Sequence, residues 1–132
     1  MRSHGVVFAL LVACSSAAGP GLGDQFTLRV GESASIAELG VWMRFIQVVE
    51  DSRCPASVVC VWSGNGAIRL DITTGRGAEP VTLNTAGGNL FPNEASAAGY
   101  TFTLVQLDPQ RQTTAEVPAE QYRATIRVTR AQ

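Results

Sequence analysis

The chain has 132 residues, 45% of them hydrophobic and 16% charged, a composition typical of one globular domain with some additional sequence. Its ten basic residues are all arginines, which are scattered singly and balanced by 11 acidic residues. Because a near-neutral chain without a basic cluster offers little to a phosphate backbone, nucleic acid is not an expected partner.

The first residues have the pattern of an export signal. Arg2 precedes an apolar run, residues 6–13, that is too short to span a membrane but suits a signal peptide. The string Leu11-Val12-Ala13-Cys14 resembles the lipobox of bacterial lipoproteins, which implies cleavage before Cys14 and attachment of lipid to it. The serines that follow Cys14 imply an outer-membrane lipoprotein facing the periplasm. The alternative is cleavage after Ala18, which gives a secreted protein.

These features predict three parts of the chain. Residues 1–13 are the signal peptide, residues 14–23 are the lipidated Cys14 with a flexible tether, and residues 24–132 are the folded domain. Both forms of cleavage remove His4, which leaves no histidine or lysine in the mature protein. Both also place Cys54 and Cys60 in an oxidising compartment, where we expect them to form a disulfide.

Period-two alternation of apolar and polar residues predicts an all-β domain. A bulge is expected near Ile46, where the alternation breaks, and Asn93 is expected to cap one helical turn closed by Gly99. Strands are predicted at residues 25–30, 41–50, 67–73, 80–85, 99–107 and 121–129. Seven or eight short strands predict an antiparallel β-sandwich of immunoglobulin-like type, with a small β-barrel as the alternative.

Tyr122 is the residue that favours the sandwich. The string Val117-Pro118-Ala119-Glu120-Gln121-Tyr122, followed by an alternating strand, is similar to the tyrosine corner of immunoglobulin-like and fibronectin type III domains. That resemblance implies a hydroxyl bonded back to the preceding loop. The alternative is that Tyr122 is a core aromatic residue at the start of a strand.

The two cysteines are expected to join strand ends, with Cys54 ending one strand and Cys60 beginning the next. The pair closes a loop of about seven residues, for which chain entropy gives about 2 kcal/mol. Asn65-Gly66 is a hairpin signal. The string D-S-R-C-P-x4-C-x-W-x-G, from Asp51 to Gly64, resembles a motif of small bacterial envelope lipoproteins, and this resemblance implies no activity.

The composition argues against most catalytic chemistry. Without histidine or lysine there is no ordinary base for a serine or cysteine nucleophile, and a paired Cys54 and Cys60 cannot hold zinc. No Gly-rich phosphate-binding loop is present. We therefore expect a non-enzymatic protein with no catalytic residue, cofactor or metal.

A binding or adaptor role is the leading hypothesis. Arg53, Pro55, Val58 and Trp62 are the candidate recognition residues, because arginine and tryptophan are enriched at binding hot spots and a stapled loop loses little entropy on binding. The expected partners are an envelope protein and, through Cys14, the membrane. A buried Trp62 is the structural alternative. Alternative functions are a small-ligand carrier with an internal pocket, a protease inhibitor presenting the loop, or a passive surface domain. No oligomeric state is indicated.

Overall fold

A computed structural model describes residues 19–36 and 39–132, and it is an antiparallel β-sandwich of eight strands, not a barrel. The strands are β1 (Gln25–Arg29), β2 (Ser33–Ile36), β3 (Val41–Asp51), β4 (Gly66–Thr74), β5 (Gly77–Asn84), β6 (Glu94–Ala97), β7 (Tyr100–Asp108) and β8 (Arg123–Arg130). A short 3-10 helix, Ala119–Gln121, precedes β8. Within the described ranges no helix has the length and apolarity needed to cross a membrane. The expected lipidation at Cys14 lies outside these ranges.

Two four-stranded sheets make up the sandwich. One has the order β1-β8-β7-β6 and the other β2-β3-β4-β5, and every pair of neighbouring strands is antiparallel. Most neighbours are consecutive in sequence. The likeness to immunoglobulin-type domains therefore rests on the two-layer architecture, which many unrelated sandwiches share.

The core lies between the sheets and is built from alternate residues of each strand. In β8, Ala124, Ile126 and Val128 are fully buried while the residues between them are partly exposed. Phe45 and Phe102 fill the centre from opposite sheets. The predicted alternation is thus confirmed, because each sheet has one face on the core and one in solvent.

Two local predictions for residues 93–99 and Ile46 had opposite outcomes. Residues 93–99 do not form a helical turn: they contain β6, which pairs with β7 through a hairpin whose two loop residues, Ala98 and Gly99, both have positive φ. The register of β3 against β4 shifts between Phe45 and Gln47, so the bulge expected at Ile46 is confirmed. A second shift follows between Val48 and Glu50.

The two ends of the sandwich carry different parts of the chain. At one end, which we call the N-terminal end, Gly23 N–H donates to the Val128 carbonyl at 2.8 Å as the chain enters β1. At the other, the loop end, β3 leaves at Asp51 and β4 returns at Gly66. This end holds the disulfide loop (residues 52–65) and a second loop (residues 85–93) after β5.

Candidate functional site

The disulfide loop contains both cysteines and has no strand of its own. Cys54 and Cys60 form the predicted disulfide, with their Cα atoms 5.9 Å apart. The expectation that Cys54 ends one strand and Cys60 begins the next is wrong, because β3 stops at Asp51 and β4 starts at Gly66. The disulfide is therefore set inside the loop and shapes its outer part.

An ion pair below the loop connects the two sheets. The Arg53 guanidinium donates from Nε to Asp51 Oδ1 and from Nη2 to Asp51 Oδ2, both at 2.8 Å. It also donates to two carbonyls at the end of β7, that of Leu107 at 2.7 Å and that of Pro109 at 3.0 Å. Tyr122, at the start of β8, donates its hydroxyl proton to Asp51 Oδ2 at 2.8 Å. We refer to Asp51, Arg53 and Tyr122 as the buried cluster.

The three groups of the buried cluster set each other's protonation. Burial by itself raises the pKa of the Asp51 carboxyl, but the hydrogen bonds from Arg53 and Tyr122 and the charge of Arg53 outweigh it and hold that pKa below its ordinary value. The hydrogen bond to Asp51 raises the pKa of Arg53. Burial, followed by the bond to Asp51, raises the pKa of Tyr122 to about 12. At neutral pH the cluster is a carboxylate, a guanidinium and a neutral phenol.

Tyr122 therefore combines features of both expectations. It is a buried core residue, as the alternative held, but its hydroxyl also has a specific partner. That partner is the Asp51 side chain on the opposite sheet, not the backbone of the preceding loop. The bond replaces the local contact of a tyrosine corner with one that spans the sandwich.

A second arginine supports the loop from its other side. Arg111 Nη1 donates to the carbonyls of Asp51 and Arg53, both at 3.2 Å, and Nη2 donates to the carbonyl of Thr114 at 3.1 Å. The loop backbone also rests on this segment, because the N–H groups of Ala56 and Ser57 donate to the carbonyls of Arg111 and Gln112. The disulfide loop is thus held at several points along its length.

Asn65 joins the disulfide loop to the second loop. Its side chain is fully buried: Nδ2 donates to Asn84 Oδ1 at 2.8 Å, and Oδ1 accepts from Ala86 N–H at 3.2 Å. The prediction of a hairpin turn at Asn65-Gly66 is therefore wrong. Gly66 begins β4, and the Asn65 side chain forms hydrogen bonds with β5 and with the loop after it. The two loops form one connected surface.

Apolar side chains project from this surface into solvent. Val59 and Val61 are fully exposed and Leu90 of the second loop is 87% exposed. The Trp62 ring lies 6.4 Å from that of Phe91. We call this surface the apolar tip: Val58, Val59, Val61, Trp62, Leu90 and Phe91. No charged residue occurs in residues 54–65 or 85–93, so the tip is an uncharged apolar patch of the kind that marks interaction sites.

The predicted recognition residues divide into two groups. Val58 and Trp62 are exposed in the apolar tip. Arg53 is buried, and its assignment as a recognition residue needs correction, because its guanidinium donates to Asp51 and to two carbonyls inside the domain. Pro55 is also buried. The sequence interpretation missed Val61 and Leu90, although the uncharged stretches around both were visible.

An open groove of about 610 Å³ lies beside the buried cluster. Its lining includes Val48, Glu50, Arg111, Glu116 and Tyr122, and none of the tip residues contributes to it. This groove is the feature that a small-ligand carrier would use. In the described parts of the chain no group of three or more histidine, cysteine, aspartate or glutamate residues could hold a metal ion.

Comparisons with known proteins found no matching family model, no matching curated protein and no matching solved structure. The geometry of the loop end is therefore the basis for a functional proposal.

Proposed function

We propose that this protein is an exported, lipid-anchored binding domain of the bacterial cell envelope, and that it contacts an envelope protein through the apolar tip. The observation that carries the proposal is the exposure of Val59, Val61 and Trp62 on a loop fastened by a disulfide. No catalytic step is assigned to the domain.

The cost of exposing these side chains supports a binding role. Burying an aliphatic side chain is worth about 1.5–3 kcal/mol, so several projecting ones together forgo a large stabilisation unless a partner covers them. The buried cluster, Arg111 and the disulfide hold the loop in place. A loop that is already ordered loses little entropy when it binds. The tip thus has both the driving force and the preorganisation of a binding surface.

The position of the N-terminus supports a protein partner over the anchoring membrane. The chain enters at the N-terminal end, while the apolar tip lies at the loop end. The 11 residues of β3 span most of the distance between these ends, about 36 Å at 3.3 Å per residue. Four residues lie between Cys14 and Gly19, so the chain from one to the other reaches about 17 Å at most. A lipid on Cys14 would therefore leave the tip facing away from its own membrane.

Photo-crosslinking in intact cells tests the proposal. The full chain carries a photoreactive amino acid at Val61 or, as a control, at Val105, an exposed valine of β7. We expect Val61 to give one discrete protein adduct and Val105 to give none. Trp62→Ala should abolish the adduct, whereas Trp42→Ala should leave it intact.

The two tryptophans form a matched pair for this experiment. Trp42 is 58% exposed and Trp62 is 57% exposed, and Trp42 lies near the start of β3, away from the loop end. Both substitutions remove the same side chain from equally exposed positions. Equal adducts in the two variants, or no adduct at Val61 in a correctly exported chain, would contradict the proposed function.

A further inference from the structure

We propose that residues 58–62 are an inhibitory loop that occupies the active-site cleft of a serine endopeptidase, with Val59 in a primary pocket for small aliphatic side chains. This proposal rests on the proposed function, because it names the class of partner that the apolar tip contacts.

The backbone of the loop is free to pair with such a cleft. Among the described residues, no backbone hydrogen bond involves the N–H or C=O groups of residues 59–62. The side chains of Val59 and Val61 alternate with Cys60 and are fully exposed. Clefts and sheet edges recognise segments of this kind by main-chain hydrogen bonds, with pockets for alternate side chains.

The flanks of the segment are fixed where an inhibitor needs them fixed. Cys54 N–H donates to the Ser63 carbonyl at 2.9 Å, which closes the base of the loop inside the strand ends. The N–H groups of Ala56 and Ser57 are held by the carbonyls of Arg111 and Gln112. The free segment is therefore short and framed on both sides, so a cleft can bind it without paying to order it.

The disulfide has a particular consequence if the peptide bond after Val59 is cut. Hydrolysis adds one water molecule to give a Val59 carboxylate and a Cys60 amine. Cys60 remains covalently attached to Cys54, whose Cα is 5.9 Å away. The new ends therefore stay in the cleft, where the reverse step can expel the water and re-form the bond. A substrate without this link would release its product.

The chemistry of the tip selects the type of protease. Primary pockets that carry a carboxylate select basic side chains, whereas small apolar pockets select small aliphatic ones. Val59 is aliphatic, and residues 54–65 and 85–93 contain no charge. The matching partner is an elastase-type serine endopeptidase.

An inhibition assay with the full-length, oxidised chain tests this proposal. The probes are an elastase-type and a trypsin-type serine endopeptidase, each assayed with a small chromogenic peptide. We expect inhibition of the elastase-type enzyme only. Val59→Arg should weaken it at least about 100-fold and create inhibition of the trypsin-type enzyme, because the primary pocket now selects the other side chain. Val105→Arg is the matched control and should change neither.

The disulfide provides a second readout. Cys54→Ser with Cys60→Ser should convert the inhibitor into a substrate that is cut in the loop and released, as mass spectrometry of the digest will show. If the oxidised chain fails to inhibit, or is degraded as fast as the double variant, the inhibitory loop is refuted. Binding to phosphatidylcholine vesicles that depends on Val59 and Val61, without inhibition, would assign the tip to a bilayer and also refute it.

These results are separable from those of the proposed function. A discrete adduct at Val61 without protease inhibition would support the binding role and contradict the assignment of a protease as the partner. Absence of an adduct removes the binding domain itself.

Discussion

Replacing Arg53 by methionine removes one partner of a buried ion pair while keeping a long apolar side chain. The side chains of Arg53 and Asp51 are each 9% exposed. In the variant the Asp51 carboxylate keeps only the Tyr122 hydroxyl as a side-chain donor, and the carbonyls of Leu107 and Pro109 lose their donor. Leaving a buried charge without its partner costs about 3–5 kcal/mol. Since native proteins are stable by about 5–15 kcal/mol, Arg53→Met should remove a large share of the free energy of unfolding of this domain.

The chain contains a matched control for this experiment. Arg69 and Asp71 are also an arginine and an aspartate two positions apart, with 3.2 Å between Nε and Oδ1, but their side chains are 43% and 37% exposed. Solvent-exposed pairs contribute about 0–1 kcal/mol. We expect Arg69→Met to lower the free energy of unfolding by less than about 1 kcal/mol. Urea unfolding followed by tryptophan fluorescence measures both variants, and equal losses would refute the argument from burial.

The pH dependence gives an independent check on the same variant. In the wild type the pKa of Asp51 is lowered on folding, so the contribution of the cluster is present above the unfolded pKa, about 3.9, and is lost as the pH falls through the lower folded value. In Arg53→Met the cation and its hydrogen bonds are absent and burial raises that pKa. Protonation of Asp51 then removes the unpaired buried charge of the variant. The difference in free energy of unfolding between wild type and variant should therefore become smaller in acid. A deficit independent of pH would contradict the assigned role of Arg53.

Three further predictions concern the same end of the sandwich. Tyr122→Phe should lower the free energy of unfolding by about 1.5–3 kcal/mol, because a hydrogen bond to a charged group is lost. Since folding raises the Tyr122 pKa to about 12, the free energy of unfolding of the wild type should also fall as the pH rises from about 10 through that value. Urea titrations of the phenylalanine variant should not show that fall. The double substitution Cys54→Ser, Cys60→Ser should lower the free energy of unfolding by about 2 kcal/mol, as expected for a short loop. It should also make amide hydrogen exchange faster in the disulfide loop without unfolding the sheets. Gly64→Ala should lower the melting temperature more than Gly75→Ala, because Gly64 has φ +74° and an added Cβ would overlap the carbonyl oxygen of Ser52, whereas one at Gly75 meets nothing within 4 Å. Equal melting temperatures would contradict this.

The parts of the fold that the sequence predicted are those with long alternation. In β8 three fully buried residues alternate with polar, partly exposed ones. This alternation is visible in the sequence whatever strands β8 pairs with. β2 and β6 were missed because each has four residues, mostly small, and their strand conformation depends on the neighbour with which they pair. Asn93 and Gly99 are compatible with a helical turn when only local sequence is considered. Residues 94–97 form a strand because they pair with β7.

The candidate site was harder to predict for a related reason. Arg53 looks like a surface residue in sequence, since the carbonyls of Leu107 and Pro109 that bind it are more than 50 positions away. Asn65 looks like a turn residue until its partner Asn84 is known. Trp62 would ordinarily be expected in a core. The local clue that the sequence analysis did not use is the absence of charge from residues 54–65 and 85–93, the two stretches that form the tip.

The frame and the tip of the disulfide loop are made of different residues, and this separation makes the loop exchangeable. Asp51, Arg53, Cys54, Cys60 and Gly64 hold the frame through the ion pair, the disulfide and a close backbone contact. The four residues between Pro55 and Cys60 are all exposed, and the loop uses only their main chain to attach to the rest of the domain. Their side chains could therefore be randomised in a display library without disturbing a buried contact, so the domain is a natural starting scaffold for new binders.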